Sequence, residues 1–307
     1  MKAPAIVVLG SCIIDIMLRT AVLPARGECL VAQAAQTQIG GKASNQAIAM
    51  ARLGAPPLLI TRVGTDAWAE LALARWQRAG IDTRCVVRDE QHATGLGVVV
   101  VDAAGENVTL TYPGASAALT PADVARAEPL IGAARVFSAH LNAPPATIEA
   151  ALTLAKDRGL TTILNLSPPE ELPEAILRLI DVAVVNRTEA QQLTGCTITT
   201  PVAALEAAQR LMARGVGAVI VSLGAQGLAL ASATIAEVVP ALLVAAVDTT
   251  GAGDALIAGL AVALAEGRSL TEAARWGAAT AALAVTRPGT AEAMPWRTDV
   301  ERALQTR

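Results

Sequence analysis

The most informative segment of the sequence is Asp248-Thr249-Thr250-Gly251-Ala252-Gly253-Asp254, because it predicts a glycine-rich turn at the start of a helix. An apolar segment, Ala241–Val247, precedes it, and leucines recur every four residues from Leu256 onward, which predicts a helix with one buried face over Ala255–Ala265. Glycines at a strand-to-helix turn let backbone N–H groups converge at the helix N-terminus, where negative charge is favoured. Asp254 would then stand beside a bound phosphoryl group and could take a proton from an attacking hydroxyl.

The same turn is also compatible with a purely structural role. Asp254 could serve only as an N-cap, because aspartate accepts hydrogen bonds well from the first turn of a helix. A dinucleotide-binding fingerprint fits less well, since Leu256 or Ile257 stands where its third glycine belongs and the motif lies late in the chain. A Walker-type P-loop is absent, because Gly41-Lys42 is followed by Ala43 and lacks the upstream glycine.

Composition excludes several classes of protein. With 307 residues, 53% of them hydrophobic and 17% charged, the chain can fold around a large core as one α/β domain or two smaller ones. A net charge of −3 provides no basic surface for nucleic acid or an anionic membrane, and six aromatic residues are too few for base-stacking platforms. The cysteines form no CxxC pair and have two histidines to accompany them, which argues against a zinc site and fits reduced thiols. They are Cys12, Cys29, Cys85 and Cys196.

No targeting or membrane segment is evident. Ile6–Leu9 is apolar but far shorter than a signal-peptide core. The longest uncharged apolar run, near Ala255–Ala265, is well below the ~20 residues that span a bilayer. We therefore expect a soluble, cytoplasmic protein that acts on small molecules and binds neither nucleic acid nor membrane.

Short apolar runs alternate with helix-like stretches along most of the chain, which is typical of a parallel sheet covered by helices on both faces. The predicted strands are Ala5–Leu9, Leu58–Arg62, Arg135–Ala139, Thr161–Leu164, Val182–Val185, Ala218–Val221, Leu228–Ala231 and Val238–Val247. The predicted helices between them are Ala43–Leu53, Ala67–Ala79, Ala146–Arg158, Val202–Arg214 and Leu270–Val285. No repeat and no low-complexity linker divides the chain, so we predict one domain over residues 1–307.

Two segments interrupt this alternation. Glu28–Ile39 and Thr94–Tyr112 have β-type sequences without intervening helices, and the second predicts a hairpin of Leu96–Val101 and Asn107–Tyr112. We expect a small sheet, within about residues 12–39 and 92–113, that stands off the main domain as a lid, a dimer contact or both. An ordinary extension of the main sheet is the alternative.

Polar residues follow six of the predicted strands. They occur at Gly10-Ser11 through Asp15, Asn142, Asn165, Asn186, Ser222 through Gly224, and Asp248 through Asp254. Ligands of open α/β sheets bind at the carboxyl ends of the strands. Six polar strand ends on one rim therefore predict a shared site.

Three of the motifs have both a functional and a structural interpretation. Gly40–Asn45 combines two glycines, which allow close backbone approach, with a lysine and an asparagine that can donate to hydroxyls or phosphate; a plain hinge with a solvated lysine is the alternative. Asn186 and Glu189 share one helical face and could reach a phosphate-bound Mg²⁺, or they could form a helix cap. Ser222–Gly227 could accept a nucleotide phosphate or simply reverse the chain.

Taken in order, these motifs resemble the ribokinase family of carbohydrate kinases (the PfkB family). The resemblance runs from Val7–Ser11 to Met294–Trp296 and includes both halves of the family signature, Gly40–Asn45 and Asp248–Asp254. It implies a three-layer α/β/α sandwich with a mostly parallel central sheet and a small β-sheet lid, through which such proteins often form homodimers. It also implies transfer of the γ-phosphoryl group of ATP to a sugar hydroxyl, with Mg²⁺ as cofactor and K⁺ as a candidate activator.

The resemblance implies roles for individual residues. Asp254 would be the catalytic base, with the amides of Gly251, Ala252 and Gly253 holding the developing charge. The sugar would be bound by Asp15, Gly41, Lys42, Asn45, Asn142 and Asp254. ATP would be bound by Asn186, Glu189, Ser222, Gly224, Gly227, Gly253 and Ala278, with Glu189 reaching Mg²⁺ through water. K⁺ would be bound by Asp248, Thr250, Ala284, Arg287 and Gly289, several of them through backbone carbonyls.

The chain departs from the family pattern at three positions. Ile13 stands where ribokinase has an asparagine that binds the sugar, Asn142 where it has a glutamate, and Ala293 where it usually offers a serine hydroxyl to potassium. A site that loses a polar partner and gains apolar surface disfavours the fully hydroxylated sugar. The predicted acceptor is the 5-hydroxyl of a pentose, ribose or deoxyribose-like, with ribose a poor fit; a nucleoside or another family substrate is the alternative.

Two hypotheses from different functional classes compete with a kinase. A sugar or nucleotide sensor that has lost the chemistry need not preserve a base, so the retention of Asp254, Asn186 and Glu189 counts against it. An NAD-linked dehydrogenase would need the dinucleotide fingerprint that is defective here. His140, in the same strand-end segment as Asn142, is expected to be a hydrogen-bonded structural residue.

Overall fold

The computed structural model describes residues 4–305, and a nine-stranded sheet forms its centre. The strands run in the order β13-β12-β11-β10-β9-β8-β1-β4-β5. They are β1 (Ile6–Leu9), β4 (Leu58–Val63), β5 (Val86–Arg88), β8 (Val136–His140), β9 (Thr161–Asn165), β10 (Val182–Asn186), β11 (Ala218–Ser222), β12 (Leu228–Ser232) and β13 (Ala236–Val239). All pairs are parallel except β11–β12 and β12–β13 at one edge.

Helices cover both faces of this sheet because its central strands are apolar on both sides. In β1, Ile6 and Val8 belong to one core and Val7 and Leu9 to the other, as the two-residue period of a strand requires. The helices are α1 (Lys42–Arg52), α2 (Ala67–Arg78), α3 (Pro121–Ala125), α4 (Pro145–Asp157), α5 (Glu174–Leu177), α6 (Arg187–Thr194), α7 (Pro201–Met212), α8 (Ala252–Ala265), α9 (Leu270–Ala284) and α10 (Arg297–Gln305). The three-layer α/β/α prediction is confirmed.

A second, four-stranded sheet forms the lid, in the order β3-β2-β6-β7. It consists of β2 (Ile13–Arg19), β3 (Ala34–Gly40), β6 (Gly95–Val101) and β7 (Asn107–Tyr112). The predicted hairpin is β6–β7, whereas β2 was not recognised as a strand and only the last part of Glu28–Ile39 is one. The lid is therefore a separate sheet and not an extension of the main one.

The prediction of a strand over Val238–Val247 is wrong beyond Val239. β13 ends there, and residues 240–247 contain no regular secondary structure. Only Leu242 packs against the core from this segment, while residues 243–247 are exposed and Leu243 is 97% exposed. The segment instead borders a cavity, so its apolar character has a different origin from that of a buried strand.

No helix among residues 4–305 combines the length and the apolar character that crossing a bilayer requires.

Candidate active site

A cavity of about 510 Å³ opens at the carboxyl ends of the central strands, beside the lid. It brings together most of the residues predicted to bind sugar, phosphate and Mg²⁺. These are Asp15, Gly41, Lys42, Asn45, Asn142, Asn186, Glu189, Ser222, Thr250, Gly251, Gly253 and Asp254. The site lies on the rim where the sequence predicted it, although Asp248–Asp254 follows an irregular segment and not a strand.

Asp254 lies in the first turn of α8 and is only 8% exposed. Its carboxylate does not cap the helix. Oδ2 accepts a hydrogen bond from Asn45 Nδ2 at 2.9 Å, and Oδ1 accepts one from Gln46 Nε2 at 3.2 Å. Burial raises the pKa of Asp254, while these two bonds and the charge of Lys42 oppose the rise. The N-cap interpretation of Asp254 is thereby excluded.

The N-terminus of α8 is shaped by Gly251, which is the N-cap residue with φ 77°. This left-handed conformation favours glycine. The Ala252 amide already donates to the Thr249 carbonyl at 3.2 Å. Of the three amides predicted to bind an anion, those of Gly251 and Gly253 therefore remain, because neither donates a hydrogen bond to another group in residues 4–305.

The N-terminus of α1 approaches the same point. Gly41, with φ 86°, begins this helix, and a Cβ there would lie 2.6 Å from Ile13 N and 2.7 Å from Ser11 O. Only glycine allows the two backbone segments to come this close. The Lys42 amide donates to Ser11 Oγ at 3.2 Å, which ties the start of α1 to the end of β1.

Asp15 enters the cavity from the lid strand β2, between two residues that lack side chains. A Cβ at Gly40 would lie 1.9 Å from Asp15 Oδ2, and one at Gly97 would lie 2.6 Å from Oδ1. Burial raises the pKa of Asp15 to about 6. Ile13, two residues earlier on the same strand, also lines the cavity and adds apolar surface there.

His140 is a buried structural residue, as expected. Ser11 N donates to its Nε2 at 3.0 Å, and Asn142 N lies 3.2 Å from its Nδ1. Burial and the charge of Lys42 lower the pKa of His140 to about 3, so the ring is neutral. It joins the end of β1 to the loop that carries Asn142.

A second cavity, of about 250 Å³, lies on the other side of Gly253 and contains the remaining predicted ATP-binding residues. Its walls are apolar side chains and backbone, contributed by the turn after β11, the irregular segment 241–246, and α9. Ser222, Gly224, Gly227, Gly253 and Ala278 all line it. Ser222 and Gly253 line both cavities, so that the two adjoin at the start of α8.

Asn186 and Glu189 form a reciprocal capping box at the start of α6. Asn186 Oδ1 accepts from Glu189 N at 2.9 Å, and Glu189 Oε2 accepts from Asn186 N at 2.7 Å. The structural interpretation is thus correct, and it does not exclude the functional one. Both residues line the larger cavity, and the cap occupies only one oxygen of the Glu189 carboxylate.

The residues predicted to bind K⁺ form a connected pair of turns, of which Thr250 also lines the larger cavity. Asp248 Oδ1 accepts from Thr250 N and Oγ1, and its Oδ2 accepts from Gly289 N at 2.9 Å. Burial alone would raise the pKa of Asp248, but these bonds hold it below its usual value. Ala284 O accepts from Arg287 N at 3.3 Å, while the Arg287 side chain is exposed and lies 3.7 Å from Asp299.

Metal ligands of the usual protein types do not cluster here. Within residues 4–305, no three side chains of His, Cys, Asp or Glu come together in a way that could hold a metal ion. Any cation at this site must therefore rely on backbone carbonyls, hydroxyls and ligand phosphates as well as single carboxylates. Asp248 and the single Glu189 carboxylate fit that requirement.

Three buried side-chain oxygens in residues 4–305 have no hydrogen-bond partner: Gln38 Oε1, Asn45 Oδ1 and Thr290 Oγ1. Asn45 and Thr290 line the larger cavity, and Gln38 Oε1 lies 3.0 Å from where a Cβ of Gly289 would be. Buried oxygens without donors are unfavourable. A ligand rich in hydroxyl groups would supply those donors.

Sequence reasoning missed four polar residues around this site: Gln38, Gln46, Ser138 and Thr290. One signal for Ser138 was available, because it interrupts the apolar strand β8. Gln46 follows Asn45 in the first turn of α1, but nothing in the sequence showed that its side chain turns to α8. The bonds of Gln46 to Asp254 and to Ser138 join segments that are far apart along the chain.

The chain matches a known enzyme family over nearly its whole length. The model of the pfkB family of carbohydrate kinases matches residues 3–297. The chain belongs to this family. A ribokinase from Staphylococcus aureus is 34% identical over 299 residues, covering 97% of this chain and 98% of the relative. A deoxyribokinase from Salmonella typhimurium is 33% identical over 292 residues, covering 94% of this chain and 95% of the relative.

Solved structures agree with the family assignment. The structure of Arabidopsis thaliana ribokinase complexed with ribose and ATP superimposes with a TM-score of 0.91 at 30% identity and covers 99% of each chain. Thermotoga maritima ribokinase gives a TM-score of 0.89 at 31% identity, covering 98% of this chain and 99% of the other. The prediction of a ribokinase-like fold is confirmed over nearly the whole length.

Proposed function

We propose that this protein transfers the γ-phosphoryl group of ATP to the 5-hydroxyl of a pentose. The observation that carries the proposal is the buried Asp254 carboxylate at the N-terminus of α8, where a polar cavity meets an apolar one. Family membership and the relatives that act on ribose or deoxyribose support the same conclusion.

The polar cavity is suited to a sugar. Asp15, Asn45 and Asn142 offer acceptors to hydroxyl groups, and Lys42 offers a donor. In the reaction, the 5-hydroxyl loses its proton to Asp254 as its oxygen forms a bond to the γ-phosphorus. The bond from that phosphorus to the β-phosphate oxygen breaks, and ADP leaves with the electron pair. Gly251 and Gly253 direct their amides to the charge that develops.

The apolar cavity is suited to a nucleotide base. Its wall includes Gly224, Gly227 and Ala278, where the absence of large side chains leaves room for a flat ring. Ser222 lines both cavities, while Asn186 and Glu189 line the larger cavity together with Asp254, and all three would contact the phosphates. Mg²⁺, when bound with the phosphates, would neutralise their charge, and the Glu189 carboxylate would hold its water ligands.

The turn around Asp248 would hold K⁺ and so stabilise the loop that begins α8. Hydrogen bonds hold the pKa of the Asp248 carboxyl below its usual value, and one of them is donated by the Gly289 amide at 2.9 Å. The backbone N–H of Asp248 donates to the Val285 carbonyl at 3.2 Å, which joins the two turns. Thr250 and Gly289 belong to the same turns, whereas Ala293 leaves one ligand position without a hydroxyl. Ala284 and Arg287 would contribute backbone oxygens and not side chains.

The acceptor is proposed to be a pentose that lacks one hydroxyl or carries an apolar group. Ile13 gives the sugar cavity an apolar wall next to Asp15, and its Cδ1 lies 2.6 Å from where a Cβ of Gly95 would be. A hydroxyl directed at this wall would find no partner there. Deoxyribose is accordingly the first candidate, and a nucleoside is the alternative.

Dimerisation through the lid is part of the proposal. On β7, Val108, Leu110 and Tyr112 are exposed and share one face of the strand, while Thr111, on the opposite face, lines the sugar cavity. An apolar outer face of this kind favours association with a second copy.

The four free cysteines fit a reducing compartment such as the cytoplasm.

The test is coupled ADP release across pentoses, hexoses and nucleosides, with and without K⁺. Substitution Asp254→Asn should lower kcat by about 10²- to 10⁴-fold, because it removes the base, and should leave sugar binding within about threefold of the wild-type value. Asp102→Asn, in the distant turn of the lid hairpin, is the matched control and should remain active. An active Asp254→Asn variant would refute the assigned role, and a clear preference for ribose would refute the argument from Ile13.

A further inference from the structure

A chain of buried hydrogen bonds leads from the central sheet to Asp254. Ser138 Oγ in β8 donates to Gln46 Oε1 in α1 at 2.9 Å, and Gln46 Nε2 donates to Asp254 Oδ1 in α8 at 3.2 Å. Ser138 and Gln46 are both completely buried. Three elements that are distant in sequence are thus joined through one carboxamide.

The direction of these bonds is determined by chemistry. An ionised carboxylate accepts and does not donate, so it requires the NH₂ end of the Gln46 side chain. The oxygen end then faces Ser138, whose hydroxyl can donate to it. The serine therefore holds the glutamine in the single orientation that presents a donor to Asp254.

We propose that Gln46, held by Ser138, is a positioning residue that keeps the Asp254 carboxylate ionised and oriented to accept the proton of the acceptor hydroxyl. The inference rests on the proposed function and extends it to residues that line neither the sugar cavity nor the nucleotide cavity. Gln46 acts on the reaction through Asp254 alone.

Asn45 and Gln46 both donate a hydrogen bond to Asp254, but they differ in whether they can also bind the sugar. Asn45 Nδ2 donates to Asp254 Oδ2, and Asn45 Oδ1 has no hydrogen-bond partner. Because Asn45 lines the cavity, it can bind the sugar and the Asp254 carboxylate at the same time. Both polar atoms of Gln46 are already bonded inside the protein. Loss of Asn45 should therefore impair sugar binding and chemistry together, whereas loss of Gln46 should impair chemistry alone.

The electrostatic surroundings explain why a second donor matters. Burial raises the pKa of Asp254, and the opposing groups are Asn45, Gln46 and the ammonium group of Lys42. Asp15, on the lid side of the cavity, titrates separately at a pKa of about 6. His140 near Lys42 is neutral, since its pKa is lowered to about 3. Removing the Gln46 donor should therefore move the titration of Asp254 to higher pH.

The experiment compares Gln46→Met, Ser138→Ala and a matched control, Ser44→Ala. Ser44 is equally buried in α1 and accepts a bond from Trp76 Nε1 at 3.0 Å, but it makes no hydrogen bond to Asp254. Gln46→Met should lower kcat by about 10- to 100-fold, the usual effect of losing a bond to a charged group, with the sugar KM within about threefold. In the pH profile of kcat/KM, the acidic limb of this variant should move to higher pH by about one unit. Ser138→Ala should shift the same limb in the same direction by less.

A readout that does not require turnover separates this inference from the proposed function. The Asp254 carboxyl can be titrated by ¹³C NMR in aspartate-labelled protein and assigned from the spectrum of Asp254→Asn. A higher pKa in Gln46→Met and Ser138→Ala, but not in Ser44→Ala, supports the inference even if no tested sugar is phosphorylated. An unchanged titration in Ser138→Ala overturns it, and this holds even if Gln46→Met does not fold. A wild-type enzyme inactive on every sugar refutes the proposed function instead.

Discussion

The two halves of the cleft are built from different parts of the chain. The half that we propose to bind the sugar (the sugar half) presents polar side chains: half-buried Asp15 from the lid, and buried Asn45 from α1 and Asp254 from α8. The half that we propose to bind the nucleotide (the nucleotide half) presents glycine backbone and apolar side chains, with Gly224, Gly227 and Ala278 in its wall. We therefore expect the sugar half to recognise its ligand through hydrogen-bonding side chains, and the nucleotide half through the shape of its backbone and apolar wall.

This difference predicts where single substitutions act. In the sugar half, exchange of one polar atom should change affinity, rate and pH dependence, because buried polar groups interact strongly. In the nucleotide half, a side-chain hydroxyl should matter little and an added Cβ should matter greatly. Substitutions in each half therefore test whether the two halves bind their ligands in these different ways.

Among substitutions that leave the proposed base Asp254 in place, the largest effect is expected for Asp15→Asn, which should lower kcat/KM for the sugar by about 100-fold. The carboxylate can accept hydrogen bonds from two hydroxyls, and each bond to a charged group contributes about 1.5–3 kcal/mol. In the wild type, sugar affinity should fall as the pH drops below about 6, the pKa of Asp15. Isothermal titration of the sugar between pH 5 and 8 measures both effects.

The same substitution should stabilise the protein at neutral pH. The pKa of Asp15 is raised from 3.8 to about 6 in the folded state, so its stabilising contribution is complete below 3.8 and is lost as the pH rises through 6. Asparagine remains neutral, and we expect it to add about 1–2 kcal/mol to the free energy of unfolding at pH 7.5. Asp102→Asn, in the lid turn, should leave stability and sugar affinity unchanged. A destabilised Asp15→Asn variant would contradict the assignment.

Much of this architecture could be predicted from the sequence because its determinants are local. The run Ile6–Leu9, the hairpin Leu96–Tyr112 and the glycines at 251 and 253 each specify a short piece of backbone through periodicity or turn chemistry. The segment 240–247 shows the limit of this reasoning. An apolar run lines a cavity as readily as it forms a strand, and only tertiary context distinguishes the two.

The contacts within the site were less accessible to prediction. Asp254 was identified from its own motif, but its bonds to Asn45 and Gln46 span more than 200 residues. The space around Asp15 depends on Gly40 and Gly97 in neighbouring strands of the lid. Such arrangements follow from strand register and helix packing, which the sequence of either partner does not specify alone.

An effect of about tenfold is expected for Gly227→Ala in the nucleotide half, as an increase in the KM for ATP. Gly227 has φ 88°, and a Cβ there would lie 2.0 Å from Val239 O, so the turn must move away from the cavity wall. The matched control is Gly267→Ala, with φ 83° but no atom within 4 Å of the added Cβ. Both variants should lose stability in thermal unfolding, and only Gly227→Ala should lose ATP affinity. An unchanged KM for ATP would show that this turn does not shape the nucleotide site.

The smallest effect is expected for Ser222→Ala, which should change the KM for ATP by about threefold or less. Ser222 lies at the end of β11, where both cavities meet, so its position alone suggests an important hydroxyl. If the nucleotide half acts through backbone and shape, one neutral hydrogen bond near solvent contributes little to binding. Steady-state kinetics with varied ATP at saturating sugar measures the change, and the sugar KM serves as an internal control. A loss of about 30-fold or more would mean that the nucleotide half also depends on one polar side chain, and the contrast between the two halves would fail at a residue that lines both.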